Sequence, residues 1–155
     1  MADGCLKGQL EASGATGGVA VARGVWTYVG GRAGNKPLPA EKAAITAACE
    51  RLIAEVLQPR FLPEVRPCAT FNYPVAIEGK WHGNKYRFFT RYRSDDPASL
   101  AAEFDAPFAR LDYVGRDCFD LLWHRHTGEW HRVAEGLPLA EALHRIASEP
   151  YFRPC

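Results

Sequence analysis

The sequence lacks a surplus of charge of either sign. Nineteen lysines and arginines stand against eighteen aspartates and glutamates, so the formal net charge is +1. Global charge therefore predicts no partner, and only a local cluster of charge could indicate one. Hydrophobic residues (47%) and charged residues (24%) are close to the usage of average globular domains. This composition excludes disorder of the whole chain and also excludes a coiled coil.

Long apolar runs and targeting patterns are missing as well. No stretch approaches the roughly 18 apolar residues that a membrane helix needs, and residues 1–18 lack the charged-then-apolar layout of a secretory signal. The five cysteines are odd in number, widely spaced and without a C-x-x-C pair, which argues against a disulfide framework. We therefore predict reduced thiols, no membrane association and a cytoplasmic location.

Familiar catalytic motifs are absent too. The sequence contains no G-x-S-x-G, H-E-x-x-H or kinase-type motif, and nothing singles out one serine as a nucleophile. The glycine-rich stretch from Gly30 to Pro37 lacks the spacing of a phosphate-binding loop. We predict no cofactor, and the sequence leaves open whether the chain is an enzyme.

What is present fits one domain, because 155 residues rarely make two. Residues 1–18, rich in Gly, Ala and Ser, are predicted to form a flexible N-terminal arm, and residues 19–155 a single α+β domain. Residues 19–29 are rich in β-branched and aromatic residues, a composition that predicts a strand. The apolar spacing from Pro39 to Leu57 predicts the first main helix, and Pro59, Pro63 and Pro67 should prevent its continuation.

The remainder predicts an antiparallel sheet and a last helix. Alternation from Thr70 to Arg93 predicts a β-hairpin, residues 96–104 predict a short helix, and residues 108–114, 117–125 and 129–133 predict three further strands. A second main helix is expected after Pro138. The predicted fold is α+β: an antiparallel sheet of about five or six strands, in hairpins or a meander, with two main helices packed on one face.

The first hairpin carries the main candidate site. With Gly83-Asn84 as a two-residue turn, Lys80 pairs with Arg87, one face of the hairpin is apolar and the other is basic. Basic and aromatic side chains together favour binding of nucleic acid or another polyanion. The plainer alternative is a solvated face whose charges protect a sheet edge from aggregation. The predicted ligand-binding residues are Lys80, His82, Lys85, Arg87, Phe89, Arg91 and Arg93.

The second hairpin offers a metal-binding hypothesis. With Thr127-Gly128 as the turn, His124 pairs with His131, Arg125 lies over Trp130, and imidazoles gather on one face with a carboxylate. Strand geometry opposes convergence on one ion, since residues two apart are separated by roughly 7 Å, and a turn of three residues would scatter the set. The candidate metal ligands are His124, His126, His131 and Glu129.

The tripeptide Glu78-Gly79-Lys80 is similar to the E-x-K element of metal-dependent nucleases. In that element a carboxylate holds a divalent ion and the lysine assists at phosphate. A preceding acidic ligand is expected on a neighbouring strand, and the sequence offers no convincing aspartate for it. The nuclease hypothesis therefore lacks its second acidic ligand.

Several segments resemble a bacterial family catalogued as domain of unknown function 3024. The resemblance rests on two strands and a Gly-x-Trp-His strand, flanked by an opening helix, a Leu-rich helix and a closing aromatic segment. These segments are Phe108–Tyr113, Phe119–Arg125, Gly128–Val133, Ala44–Leu57, Leu139–Ile146 and Glu149–Phe152. The resemblance covers about residues 44–153, and the chain departs from the pattern at Ser94–Phe104 and in its Arg-Pro-Cys ending. It implies the order of elements and a bacterial, cytoplasmic setting, but no activity or site.

Three functions are consistent with these patterns. The first is a non-enzymatic binding module whose basic sheet face contacts an anionic partner such as nucleic acid. The second is a metal-dependent hydrolase or nuclease that uses Glu78 and Lys80 or the imidazole face. The third is a protein-interaction subunit or homodimer formed through a sheet edge or the N-terminal arm.

Overall fold

The chain is described by a computed structural model over residues 35–62, 64, 66–67 and 70–154. The predicted N-terminal arm (residues 1–18) and the predicted strand at residues 19–29 lie outside these residues. Within the described residues, no helix has both the length and the apolar character that crossing a bilayer would take.

In the part of the chain that the structure describes, five strands form one antiparallel sheet, and strands adjacent in sequence are also adjacent in space. Short connections between alternating segments favour such a meander. The predicted α+β class and antiparallel sheet are confirmed. The strands are β1 (Tyr73–His82), β2 (Lys85–Arg93), β3 (Glu103–Gly115), β4 (Cys118–His124) and β5 (Trp130–Leu137).

The first helical segment is longer than predicted. It comprises α1 (Pro39–Leu52), a π-helical turn (Ile53–Leu57) and α2 (Gln58–Phe61), so the expectation that Pro59 prevents continuation is wrong. In the wider turn the Gln58 N–H donates to the Ile53 carbonyl. Pro59 therefore stands in the first turn of a new α-helical segment, where its missing N–H needs no partner.

The second main helix, α3 (Leu139–Ser148), follows Pro138 as predicted. The helix predicted over residues 96–104 does not form, and the structure has a turn there. Asp96 Oδ1 accepts a hydrogen bond from the Ala98 N–H at 2.8 Å, while the Ser94 N–H donates to the Ala102 carbonyl at 2.9 Å. An aspartate that accepts bonds from the residues after it can close a turn as well as start a helix.

Buried residues of the sheet and the helices form one hydrophobic cluster. Strand residues two apart share a sheet face, and the pairing puts the cluster's strand residues, including Ile77, Phe88 and Leu121, on one face, which we call the core face. The other members of the cluster include Ile45, Cys49, Ile53 and Leu57 of the first helical segment and Ala142 and Ile146 of α3.

The two cysteines that the structure describes, Cys49 and Cys118, differ in state. Cys49 is a free, fully buried thiol whose pKa burial raises to about 12, so it is an inert core residue at neutral pH. Cys118 is disulfide-bonded, so the prediction of a reduced thiol is wrong there. Spacing along the chain cannot show which cysteines meet in space, which is why the sequence misled at this position.

Candidate functional site

The sheet face opposite the core face is rich in charge, and we call it the polar face. Its first two strands pair as predicted, with His82 opposite Lys85 and Lys80 opposite Arg87. All seven predicted ligand-binding residues therefore lie on one face. Pairing across β3, β4 and β5 adds Glu103, Asp105, Arg110, Asp112, Asp120, Leu122, His124, Trp130 and Arg132 to this face.

The end of β2 far from the turn is neutralised by acids of neighbouring strands. Arg91 contacts Glu78 Oε1 and Asp105 Oδ1, each at 3.1 Å, and Arg93 contacts Glu103 Oε1 at 2.7 Å. Hydrogen bonds to these carboxylates raise the pKa of both arginines above the ordinary value. The predicted basic stripe is therefore not uniform, and its far half is engaged in ion pairs.

The end of β2 near the turn keeps its positive charge. Among the described residues, Lys80, Lys85 and Arg87 make no ion pair with a carboxylate. Arg87 stands between Lys80 on β1 and Arg110 on β3, and we call these three the cation row. Like charges on facing strand positions destabilise a sheet, so the row is an arrangement that an anion would relieve.

Arg87 also has an unused hydrogen-bond donor. Its Nε is buried and has no hydrogen-bond partner within the part of the chain that the structure describes. A buried donor without a partner costs about 1–3 kcal/mol of desolvation. A phosphate oxygen bound by this guanidinium would supply the missing acceptor.

Arg110 is fixed by a buried ion pair. Its Nε and Nη2 donate to the two oxygens of Asp112 at 2.7 and 3.0 Å, and each side chain is only 10% exposed. The Arg110 guanidinium lies over the Trp130 ring at 4.8 Å from its centroid. The ion pair and the cation–π contact together hold the Arg110 guanidinium and the Trp130 indole in place on the polar face.

A second charged network occupies β4 and β5. Arg132 lies 3.7 Å from Asp120 Oδ2 and 2.5 Å from Glu135 Oε1, and the Gly136 N–H donates to Asp120 Oδ1 at 3.0 Å. The charge of Arg132 is therefore neutralised by carboxylates of β4 and β5, unlike the charges of Lys80 and Arg87.

The second hairpin is paired one residue away from the prediction. The Arg125 N–H donates to the Glu129 carbonyl at 2.9 Å, which closes a turn of residues 126–128 rather than a two-residue turn. Gly128 adopts a φ of 87°, the left-handed conformation that ends such a turn. His124 consequently pairs with Trp130, and Trp123 pairs with His131.

The new register divides the candidate metal ligands, and only His131 and Glu129 stay close, with 3.7 Å between Nε2 and Oε2. His124 lies on the polar face, whereas His131 lies on the core face, 6.2 Å from the Trp123 ring. His126 and Glu129 are exposed in and beside the turn. Across the described residues, no group of three or more His, Cys, Asp or Glu side chains could hold a metal ion.

The predicted cation–π contact changes partners for the same reason. Arg125 lies over Trp123 at 5.8 Å and not over Trp130, which receives Arg110 instead. The predicted ligand-binding set omitted Arg110 and Trp130, and His124 was predicted only as a candidate metal ligand. A three-residue turn ending at Gly128 was the available signal for Trp130, because only that register pairs Trp130 with His124.

His124 stands beside Trp130, with the two ring centroids 4.8 Å apart and the rings edge to face. Burial is the main cause of the lowered pKa of His124. The charge of Arg87 lowers this pKa further, whereas hydrogen bonds with the backbone of Gly128 and Pro107 raise it. Arg87 is therefore close enough to the His124 imidazole to act on it electrostatically.

The nuclease-like tripeptide does not stand free. Arg91 Nη1 donates to Glu78 Oε1 at 3.1 Å, so this carboxylate is committed to an ion pair. Lys80 is on the same face but belongs to the cation row. Among the described residues, this geometry therefore offers no set of ligands for the metal ion that a metal-dependent nuclease would need.

Comparison with known proteins places the chain by family. A family model described as domain of unknown function (DUF3024) matches residues 37–154. The chain belongs to the DUF3024 family. The match runs from the residues before α1 to the end of the described chain, so the predicted resemblance over residues 44–153 is confirmed and the polar face lies wholly within the DUF3024 region. No curated protein and no solved structure matches the chain.

Proposed function

We propose that this DUF3024 protein is a binding module that holds nucleic acid on its polar face. The observation that carries the proposal is the cation row, in which Lys80, Arg87 and Arg110 stand on adjacent strands although Lys80 and Arg87 have no acidic partner among the described residues. We also propose a bacterial, cytoplasmic setting, which the family resemblance implies.

The chemistry of the neighbouring groups supports a polyanion rather than a small acid. Lys80 and His82 are exposed, and Lys85 and Arg87 are half-buried, so phosphates can approach from solvent along the turn end of the hairpin. The His124 imidazole lies within electrostatic reach of Arg87, and the Trp130 ring beside it is covered by the Arg110 guanidinium. Cations next to aromatic rings are the combination that nucleic-acid-binding sheets use.

The test is fluorescence anisotropy of a labelled oligonucleotide titrated with the full chain at several salt concentrations. Arg87→Gln should weaken binding by about 3- to 10-fold and lower the slope of log affinity against log salt by about one, because one phosphate contact is lost. Arg51→Gln is the matched control, since it makes the same charge change on α1, away from the polar face.

Two results would overturn the proposal. One is the absence of any salt-dependent binding by the unmodified chain at low salt. The other is an equal loss of affinity in the Arg87→Gln and Arg51→Gln variants, because equal losses would mean diffuse attraction by net charge.

A further inference from the structure

Two parallel rows of side chains cross the polar face. The cation row follows the pairing of Lys80, Arg87 and Arg110. The next row, one residue pair further along the strands, contains Phe89, His124 and Trp130, and we call it the aromatic row. Residues two apart on a strand are roughly 7 Å apart, and neighbouring strands are about 4.8 Å apart. His124 and Trp130 therefore lie one row along the strands from Arg87 and two and three strands across from it.

Members of the aromatic row differ in accessibility. Phe89 is 8% exposed and forms the floor of the face. Trp130 and His124 are only half-buried. Trp130 lies on the polar face of β5, so its indole is not packed in the hydrophobic core.

Trp130 is also held rigidly. Arg110 lies over its ring and is itself locked by two hydrogen bonds to Asp112, and His124 supports the indole edge to face. A ring fixed in this way loses little conformational entropy when a flat ligand stacks on it. Arg110 is a positioning residue in this arrangement.

The two rows match the two sides of an unpaired strand. A single strand carries charged phosphates along one side and free base faces along the other, whereas a duplex hides its base faces within the stack. The cations of one row would meet phosphates, and the rings of the other would meet bases. A duplex could use the cation row alone.

We propose that the polar face selects single-stranded nucleic acid lying across the β-strands, with its phosphates on Lys80 and Arg87 and a base stacked against Trp130 and His124. This inference rests on the proposed function and adds the strandedness and the orientation of the ligand.

The experiment titrates the full chain with unlabelled oligothymidylate and follows tryptophan fluorescence, with anisotropy of a labelled copy as the measure of affinity. Oligothymidylate should quench the fluorescence, because a stacked base quenches an indole directly. Trp130→Phe should remove most of the quenching, and Trp130→Ala should weaken binding by roughly 5- to 100-fold, the range that corresponds to loss of one base–aromatic stack.

Tyr151→Ala is the matched aromatic control. Tyr151 is 55% exposed and its ring lies 5.6 Å from Trp123, whose side chain belongs to the core face, so its removal should leave affinity and quenching unchanged. Thermal melting of each variant verifies that it is folded, and Trp130→Phe keeps an aromatic ring in case the alanine variant fails to fold.

Two further probes separate the inference from the proposed function. A duplex of equal length should bind more weakly than oligothymidylate, and inorganic polyphosphate should bind without quenching. Equal affinity for duplex, or quenching that persists in Trp130→Phe, would overturn the single-strand inference while leaving Arg87-dependent binding intact. Absence of binding to every polyanion would overturn both.

Discussion

The two ends of strand β2 carry the same residue types but differ in electrostatic state. Near the turn, Lys85 and Arg87 have no carboxylate partner among the described residues, whereas at the far end Arg91 and Arg93 are bound by acids of β1 and β3. The charge that a strand presents is therefore set by the strand that pairs with it. A basic stripe in a sequence overstates the cationic surface until its neighbours are known.

The largest effect is expected from breaking the buried ion pair beside the near-turn end. Asp112→Ala leaves Arg110 buried without its carboxylate and next to Arg87, so the free energy of unfolding should fall by about 3–5 kcal/mol. Urea denaturation measures this loss. Glu103→Ala is the far-end counterpart, and its midpoint should stay close to that of the unmodified chain because the pair with Arg93 is solvent-exposed. Equal losses at the two ends would contradict the distinction.

A gain of binding is expected when the far end is freed of its acids. The double variant Glu103→Gln with Asp105→Asn removes two carboxylates that neutralise Arg91 and Arg93. Oligonucleotide affinity at low salt should rise by about 3- to 10-fold, and the salt dependence should become steeper. Anisotropy titrations measure both quantities.

The control for that gain is Glu50→Gln with Glu55→Gln on the first helical segment, which changes net charge equally away from the polar face. An equal gain in the control would show that net charge alone is responsible. No gain in the far-end variant would mean that ligand does not reach that part of β2.

The smallest effect concerns pH. The pKa of His124 is lowered in the folded chain, chiefly by burial, so the unfolded state takes up a proton more readily than the folded state does. His124 should therefore reduce stability as the pH falls through its unfolded pKa of about 6.5, and the loss should level off below the lowered folded value.

Urea midpoints measured from about pH 7.5 to 5.5 should fall less steeply in His124→Gln than in the unmodified chain. His144, an exposed histidine on α3, gives the control variant His144→Gln, which should keep the unmodified slope. The assignment fails if the His124 variant follows the unmodified curve at every pH.

Local signals predicted the first hairpin correctly. Gly83 adopts a φ of 64°, as a two-residue Gly-Asn turn requires, and this turn sets the register of Lys80 against Arg87. Alternation along both strands then assigns the apolar and basic faces, because a shift of one residue would bury the charges. The cationic part of the site was therefore predictable.

Long-range pairing was not predictable by the same means. Glu103 lies at the end of the predicted helix over residues 96–104, and Asp105 lies between that helix and the strand predicted from Phe108. They become partners of Arg93 and Arg91 only because β3 already begins at Glu103. A bulge between Phe88 and Phe89 further shifts that register. The sequence alone shows neither how far β3 extends nor where its register with β2 shifts.

Gly79 gives the nuclease-like tripeptide a simpler explanation. A Cβ atom at this position would overlap the ring and hydroxyl of Tyr86, which lies across the β1 backbone and is almost wholly buried. Burial also raises the pKa of Tyr86, so the phenol stays neutral against the strand. The glycine between Glu78 and Lys80 is thus demanded by aromatic packing on the opposite side of the sheet. An apparent catalytic signature can arise where a tyrosine ring needs room.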